Sequence, residues 1–216
     1  MKKLYFFILA MTVFGAMMVS TGNMAYAASS TIHMGNNNGD VWDLQYRLKV
    51  LGYYDSSIDG IYGWETWQAV RNFQSDYGLT VDGTVGTQTI ASLKKVSVNQ
   101  YELDMMARMI YAEARGESYT GQVAVGAVIM NRLKSQQFPD TVEEVLFQPL
   151  AFSAVDDGQY WYNAPDSTSY RAAMDAVKGW DPTNGALYYF NPKTATSSWI
   201  WTRPQLITIG NHTFMK

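Results

Sequence analysis

The sequence has no cysteine and only two histidines, and these absences narrow its chemistry before any motif is considered. Without a thiol there is no disulfide framework and no thiol peptidase, so hydrophobic cores alone must hold the protein. Zinc amidases and metallopeptidases generally take two or more histidine ligands. Here His33 stands near the start and His212 is the fifth residue from the end, which argues against any catalytic metal or cofactor. A Ser-His-Asp arrangement would have to rest on His212, and no Gly-x-Ser-x-Gly elbow is present. Charge is also sparse, with 16 basic against 19 acidic residues and no basic run, which excludes nucleic acid as the expected partner. Carboxylate chemistry remains.

One apolar run stands out. Lys2 and Lys3 precede a nearly unbroken stretch from Leu4 to Val19, followed by Ala25-Tyr26-Ala27, the pattern of an export signal cleaved before Ala28. The run falls short of the ~20 residues of a spanning helix, so no stable membrane span is expected after cleavage. Removing residues 1–27 takes both lysines and leaves a net charge of −5 on 189 residues, from 14 basic and 19 acidic side chains. Residues 28–35 read as a spacer.

Between Gly39 and Leu93 the chain repeats itself. Asp59-Gly60-Ile61-Tyr62-Gly63-Trp64-Glu65-Thr66 recurs 23 residues later as Asp82-Gly83-Thr84-Val85-Gly86-Thr87-Gln88-Thr89. Each copy reads as a tight Asp-Gly turn that starts a helix, with the second glycine allowing positive φ or close approach and polar residues capping the helix. Val41, Leu44, Leu48 and Leu51, then Trp67, Val70 and Phe73, keep helical spacing, which predicts three short helices. With Leu44-Gln45, Leu51-Gly52-Tyr53-Tyr54, Phe73-Gln74 and Gly78-Leu79, residues 36–95 resemble the peptidoglycan-binding domain of bacterial wall hydrolases. That resemblance implies peptidoglycan as the partner. Tyr53, Tyr54, Tyr62, Trp64 and Trp67 divide between sugar stacking and core packing.

A short polar connection, 96–101, leads to the second half, 102–216, and is expected to let the two domains move as near neighbours. Leu103, Met106, Ala107, Ile110 and Ala114 mark one helical face. Glu113 falls on that face just before Gly116, which is expected to stop the helix. This position predicts a desolvated carboxyl group, favouring the protonated acid that glycosidic cleavage requires. The smooth segment Thr120 to Leu133 predicts a helix packed directly on the one that bears Glu113. Thr141-Val142-Glu143-Glu144 reads as a capping box for a third helix, and Ser167 or Thr168 starts a fourth that Gly179 ends. From Ala186 onward, aromatic and branched runs separated by turn residues predict a small hairpin or loop lobe.

This half resembles the catalytic domain of the spore cortex-lytic enzymes and related cell-wall hydrolases. The resemblance rests on Ala107-Arg108, Glu113-Ala114-Arg115-Gly116-Glu117, Gly121-Gln122-Val123-Ala124-Val125, Asn131-Arg132, Phe138-Pro139, Gly179-Trp180-Asp181-Pro182, Ala186-Leu187-Tyr188-Tyr189, Asn191-Pro192, Trp199 and Ile209-Gly210-Asn211-His212. Many relatives carry glutamine before the Phe-Ser pair, where this chain has Ala151. The resemblance implies a mainly helical α+β chain: a three-helix peptidoglycan-binding domain followed by a lysozyme-like, lytic transglycosylase-type domain. It also implies that Glu113 is the catalytic acid of lytic transglycosylation, and a place in the cell wall or spore cortex. Glu117, Asp156 and Asp157 remain candidates for a hydrolytic partner. Glu117, Tyr188, Tyr189, Asn191 and Trp199 are the expected substrate-binding residues. Each of the three aromatics has core packing as its alternative, and Glu117 has pairing with other surface groups. His212 is expected to be structural.

Overall fold

The computed structural model describes residues 31–196 and 198–216; the export signal expected at 1–27 lies outside the described residues. The first unit holds three helices, α1 (Gly39–Val50), α2 (Trp64–Asp76) and α3 (Thr87–Val96). Val41, Leu44, Leu48, Val70, Phe73 and Leu93 close its core. Ile32, in the segment read as a spacer, joins this core and pairs its backbone with Val85.

The repeat encodes a polar staple. Gln45 of α1 is fully buried; its amide nitrogen donates to Asp59 Oδ1 at 2.8 Å, Ile61 O at 3.1 Å and Thr66 Oγ1 at 3.0 Å. Its oxygen accepts from the backbone N–H groups of Asp59 (3.1 Å) and Gly60 (2.9 Å). Gln74 of α2 does the same for the second copy, donating to Asp82, Thr84 O and Thr89 and accepting from Gly83 N–H. The repeat threonine is therefore a partner of the buried glutamine, and neither helix start has a side-chain cap. The second glycines, Gly63 and Gly86, are extended rather than left-handed; positive φ belongs to the first, +75° at Gly60 and +73° at Gly83. A Cβ on Gly83 would lie 2.1 Å from Trp67 Nε1, so only glycine lets the turn close on that ring. Of the five aromatics with two readings, Tyr54 and Tyr62 are core, while Trp64 is 61% exposed and stacks on Trp67 at 4.7 Å.

The second unit is built on α4 (Gln100–Ala114), α5 (Tyr119–Lys134) and α9 (Ser167–Val177). Helix α5 is buried on nearly all sides. A Cβ at Gly126 would meet Ala176 at 2.9 Å and Ile110 at 3.0 Å, so the absent side chain lets α5 lie against both α4 and α9. Thr141 caps α6 (Val142–Leu146) by accepting from Glu144 N–H, but the Glu144 carboxylate accepts from the Thr141 hydroxyl rather than from its backbone N–H, so only half of the expected box forms; Asp166 caps α9. Helix α4 ends without a left-handed residue at Gly116. The turn closes through Glu117 N–H to Ala114 O at 2.9 Å, and Ser118 at once caps α5. Two short helices, α7 (Ser153–Asp156) and α8 (Gln159–Tyr162), have no counterpart in the sequence reading because single turns carry too few residues for a periodic signal. The lobe is a three-stranded antiparallel sheet, β1 (Tyr188–Phe190), β2 (Gln205–Ile209) and β3 (His212–Met215), in the order β1-β3-β2. Trp199–Thr202 forms a 3-10 turn rather than a strand.

The two units touch beyond the connecting segment. Arg47 of α1 is buried, and its guanidinium meets Asp43 (2.8 Å), Glu102 at the start of α4 (2.8 Å) and Ser97 O (3.1 Å). Val50 lies within the core of the second unit and Tyr46 packs against it. The short connection is thus flanked by a buried ion network and apolar contact between the units.

Candidate active site

At the C-terminal end of α4, Glu113 turns away from the helix contacts toward the gap between α7 and β1. Its Oε1 accepts hydrogen bonds from the Ala154 N–H at 2.7 Å and the Ser153 hydroxyl at 3.2 Å. Its Oε2 accepts one from the Tyr189 hydroxyl at 3.0 Å. The carboxyl group is half-buried, which corrects the expected desolvation: Ala112 and Ala114 on either side of it are buried in the core, while Glu113 itself faces polar donors. What is fixed here is orientation, since three donors on two oxygens leave the side chain little freedom.

Tyr189 connects this cradle to the core. Its ring packs between His212 (5.0 Å), Phe214 (5.6 Å) and Phe152 (6.3 Å). Burial first, then the charge of Glu113, pushes its hydroxyl well above the usual tyrosine value, so it stays a proton donor through neutral pH. Successive strand residues face opposite sides, and Tyr188 accordingly packs elsewhere. It meets Trp199 edge-on at 5.4 Å, and the Arg203 guanidinium lies 4.6 Å from the Tyr188 ring and 4.5 Å from the Trp199 ring. Trp199 remains 49% exposed and offers a face to a ligand. The Asn191 side chain closes its own turn, accepting from Lys193 N–H at 2.9 Å.

Glu117 is occupied differently. Its two oxygens accept from the backbone N–H (3.1 Å) and side-chain amide (2.9 Å) of Asn211, clamping the β2–β3 hairpin. Burial raises its pKa, but the two Asn211 hydrogen bonds outweigh it, with help from His212 and Lys193, and hold the group below the ordinary glutamate value of 4.5. A depressed carboxylate stabilises the fold above its unfolded pKa and loses that contribution as pH falls through the folded one. Glu117→Gln should therefore lower the Tm at neutral pH, and the difference from wild type should shrink as the pH falls below the ordinary glutamate value and through the lowered folded one. An unchanged difference on acidification would rule out this clamp.

Asp156 and Asp157 are exposed, and Asp157 is held by the backbone and side-chain amide of Gln159. Neither hydrogen-bonds to Glu113. His212 is buried against Tyr189 with its Nδ1 unpartnered, and burial lowers its pKa. Among the described residues no cluster of three or more His, Asp or Glu is arranged to hold a metal ion. The sequence reading missed the donors Ser153 and Ala154 N–H and the buried Arg132. Backbone N–H groups leave no trace in composition, but an arginine within the apolar run of α5 was a visible signal.

With this geometry established, comparison with known proteins places the chain. A cell wall hydrolase family model matches residues 116–215 and a putative peptidoglycan-binding domain model matches residues 37–93. The spore cortex-lytic enzyme of Bacillus cereus is 43% identical, aligned over 90% of this chain and 89% of its own. That of Bacillus subtilis is 35% identical over 91% and 92%. The solved catalytic domain of the germination-specific lytic transglycosylase SleB from Bacillus anthracis is 58% identical, covering 55% of this chain and 97% of that one with a TM-score of 0.52. The catalytic domain of the Bacillus cereus SleB protein, 57% identical over 56% and 93%, gives the same score. Since similarity extends through both units and most of each relative, the chain belongs to the spore cortex-lytic enzyme family.

Proposed function

We propose that the protein is a muralytic enzyme that cleaves spore-cortex peptidoglycan by lytic transglycosylation between N-acetylmuramic acid and N-acetylglucosamine. The observation that carries this reading is the single carboxyl group of Glu113, half-exposed and held by Ser153, Ala154 N–H and Tyr189, with Glu117 engaged by Asn211. Transglycosylation needs only one such group. Glu113 protonates the bridging oxygen as the sugar gains oxocarbenium character. It then accepts the proton of the muramyl 6-hydroxyl as that oxygen closes the 1,6-anhydro ring.

The cradle suits both states of one carboxyl. The Ala154 N–H can only donate, which leaves Oε2 as the oxygen that carries the proton. The Tyr189 hydroxyl can turn to accept from the acid or donate to the carboxylate. Trp199 offers its exposed ring to a sugar face with Tyr188 edge-on beside it, and the amide of Asn191 can meet an N-acetyl group. Glu117 contributes by fixing the hairpin that follows. The first unit holds the enzyme on peptidoglycan, with the exposed Trp64 as its most accessible stacking surface. Export through the amino-terminal signal then brings the enzyme to wall or cortex; no helix among the described residues is long and apolar enough to cross a membrane.

The test is product analysis by mass spectrometry on purified cortex and on vegetative sacculi. Anhydro-muropeptides from cortex are expected. Reducing-end muramic acid would replace transglycosylation by hydrolysis, and equal release from both substrates would remove the cortex assignment.

A further inference from the structure

Behind the cradle lies a cation that makes no salt bridge among the described residues. Arg132, on α5, is only 4% exposed. Its Nε donates to Leu187 O at 2.8 Å, and its guanidinium lies 4.9 Å from the Phe152 ring, 5.1 Å from Phe138 and 5.6 Å from Tyr188. Its Nη1 is buried without a partner. Taking an ammonium- or guanidinium-sized charge out of water is costly, and apolar residues of similar volume often fill such places with no loss of stability. A cation retained here calls for another explanation.

The contacts supply one. Leu187 and Tyr188 lead directly into Tyr189, which holds Glu113 Oε2, and Phe152 immediately precedes Ser153 and Ala154, which hold Oε1. One planar group thus grips both segments that orient the carboxyl. Resting on the reading of Glu113 as the reacting group, we propose that Arg132 is a positioning residue for the transglycosylation, setting the spacing between the two arms of the Glu113 cradle. Burial disfavours its charge, while Tyr189, Tyr188 and Glu113 favour it, which puts the guanidinium within the electrostatic reach of the carboxyl.

Arg132→Met preserves length and apolar volume but removes the planar grip and the charge; Arg132→Lys keeps the charge and loses the fork. Both are assayed in the full chain, on soluble glycan strands, beside their melting temperatures. Misplacing a reacting group by about 1 Å costs on the order of 10²-fold in rate. The expected result is a folded Arg132→Met variant with kcat lowered about 10- to 100-fold and KM within about twofold, and an Arg132→Lys variant that recovers part of the kcat. A folded Met variant with wild-type kcat overturns the proposal, as does a loss that appears in KM alone. Should the Met variant not fold, the Lys variant decides: reduced kcat at unchanged KM supports the proposal, and wild-type kcat or failure to fold overturns it. Glu113→Gln is measured alongside. If that variant is inactive while both arginine variants are fully active, only the positioning role fails; if it stays active, the reading of Glu113 fails instead.

Discussion

Replacing Glu113 by glutamine should reduce peptidoglycan cleavage by about 10²- to 10⁴-fold, the usual cost of a lost general acid, while the melting temperature hardly changes. The reason lies in the cradle. A glutamine carbonyl placed at Oε1 still accepts from Ala154 N–H and Ser153, and its amide can donate to the Tyr189 hydroxyl, so the donors keep partners. No ion pair is broken, because no Lys or Arg lies within salt-bridge distance of Glu113 among the described residues. Cleavage is measured by release of anhydro-muropeptides and binding by pelleting with sacculi, which should be unaffected. Near wild-type release would dismiss Glu113 as the acid. A loss that follows a fall in Tm would make it structural.

The largest stability effect is expected in the first unit, from Gln45→Leu. Leucine matches the volume but leaves the N–H groups of Asp59 and Gly60 without their buried partner, and the carbonyl of Ile61 with only the longer bond from the Thr66 hydroxyl at 3.4 Å. Each such group costs about 1–3 kcal/mol, so a total of about 3 kcal/mol or more is expected. A small three-helix unit has little reserve to absorb that. Gln74→Leu should cost somewhat less, because that glutamine accepts one backbone N–H where Gln45 accepts two. Gln68→Leu on the exposed face of α2 is the control, expected within about 0.5 kcal/mol of wild type. Equal melting temperatures for all three would mean that the staple contributes nothing.

These cases also mark how far the sequence could be read. The long periodic helices, the helix start at Thr141 and the close packing at Gly126 are local consequences of spacing, and each appears where the pattern puts it, although the box expected at Thr141 forms only its side-chain half. The Asp-Gly repeat was legible as a turn, but the role of Gln45 was not. A buried amide that joins positions 14 to 21 residues away gives no local signal. At the site, periodicity found Glu113 because a helix repeats; it misjudged the surroundings because Ser153, Ala154 and Tyr189 arrive from segments about 40 and 76 residues away. Glu117 was legible as an acid one turn beyond, and only the folded hairpin reveals that Asn211 is its partner.

The buried Arg47 network has a mechanical consequence. With α1 tied by the Arg47–Glu102 ion pair to the first turn of α4, the helix that carries Glu113, the two units are joined by a strut that does not depend on the connecting segment. An enzyme held to its substrate through such a strut cannot sweep an area around its tether. It cuts at a set offset from the point of attachment, so digestion of an ordered cortex should leave fragments whose lengths cluster around a preferred value.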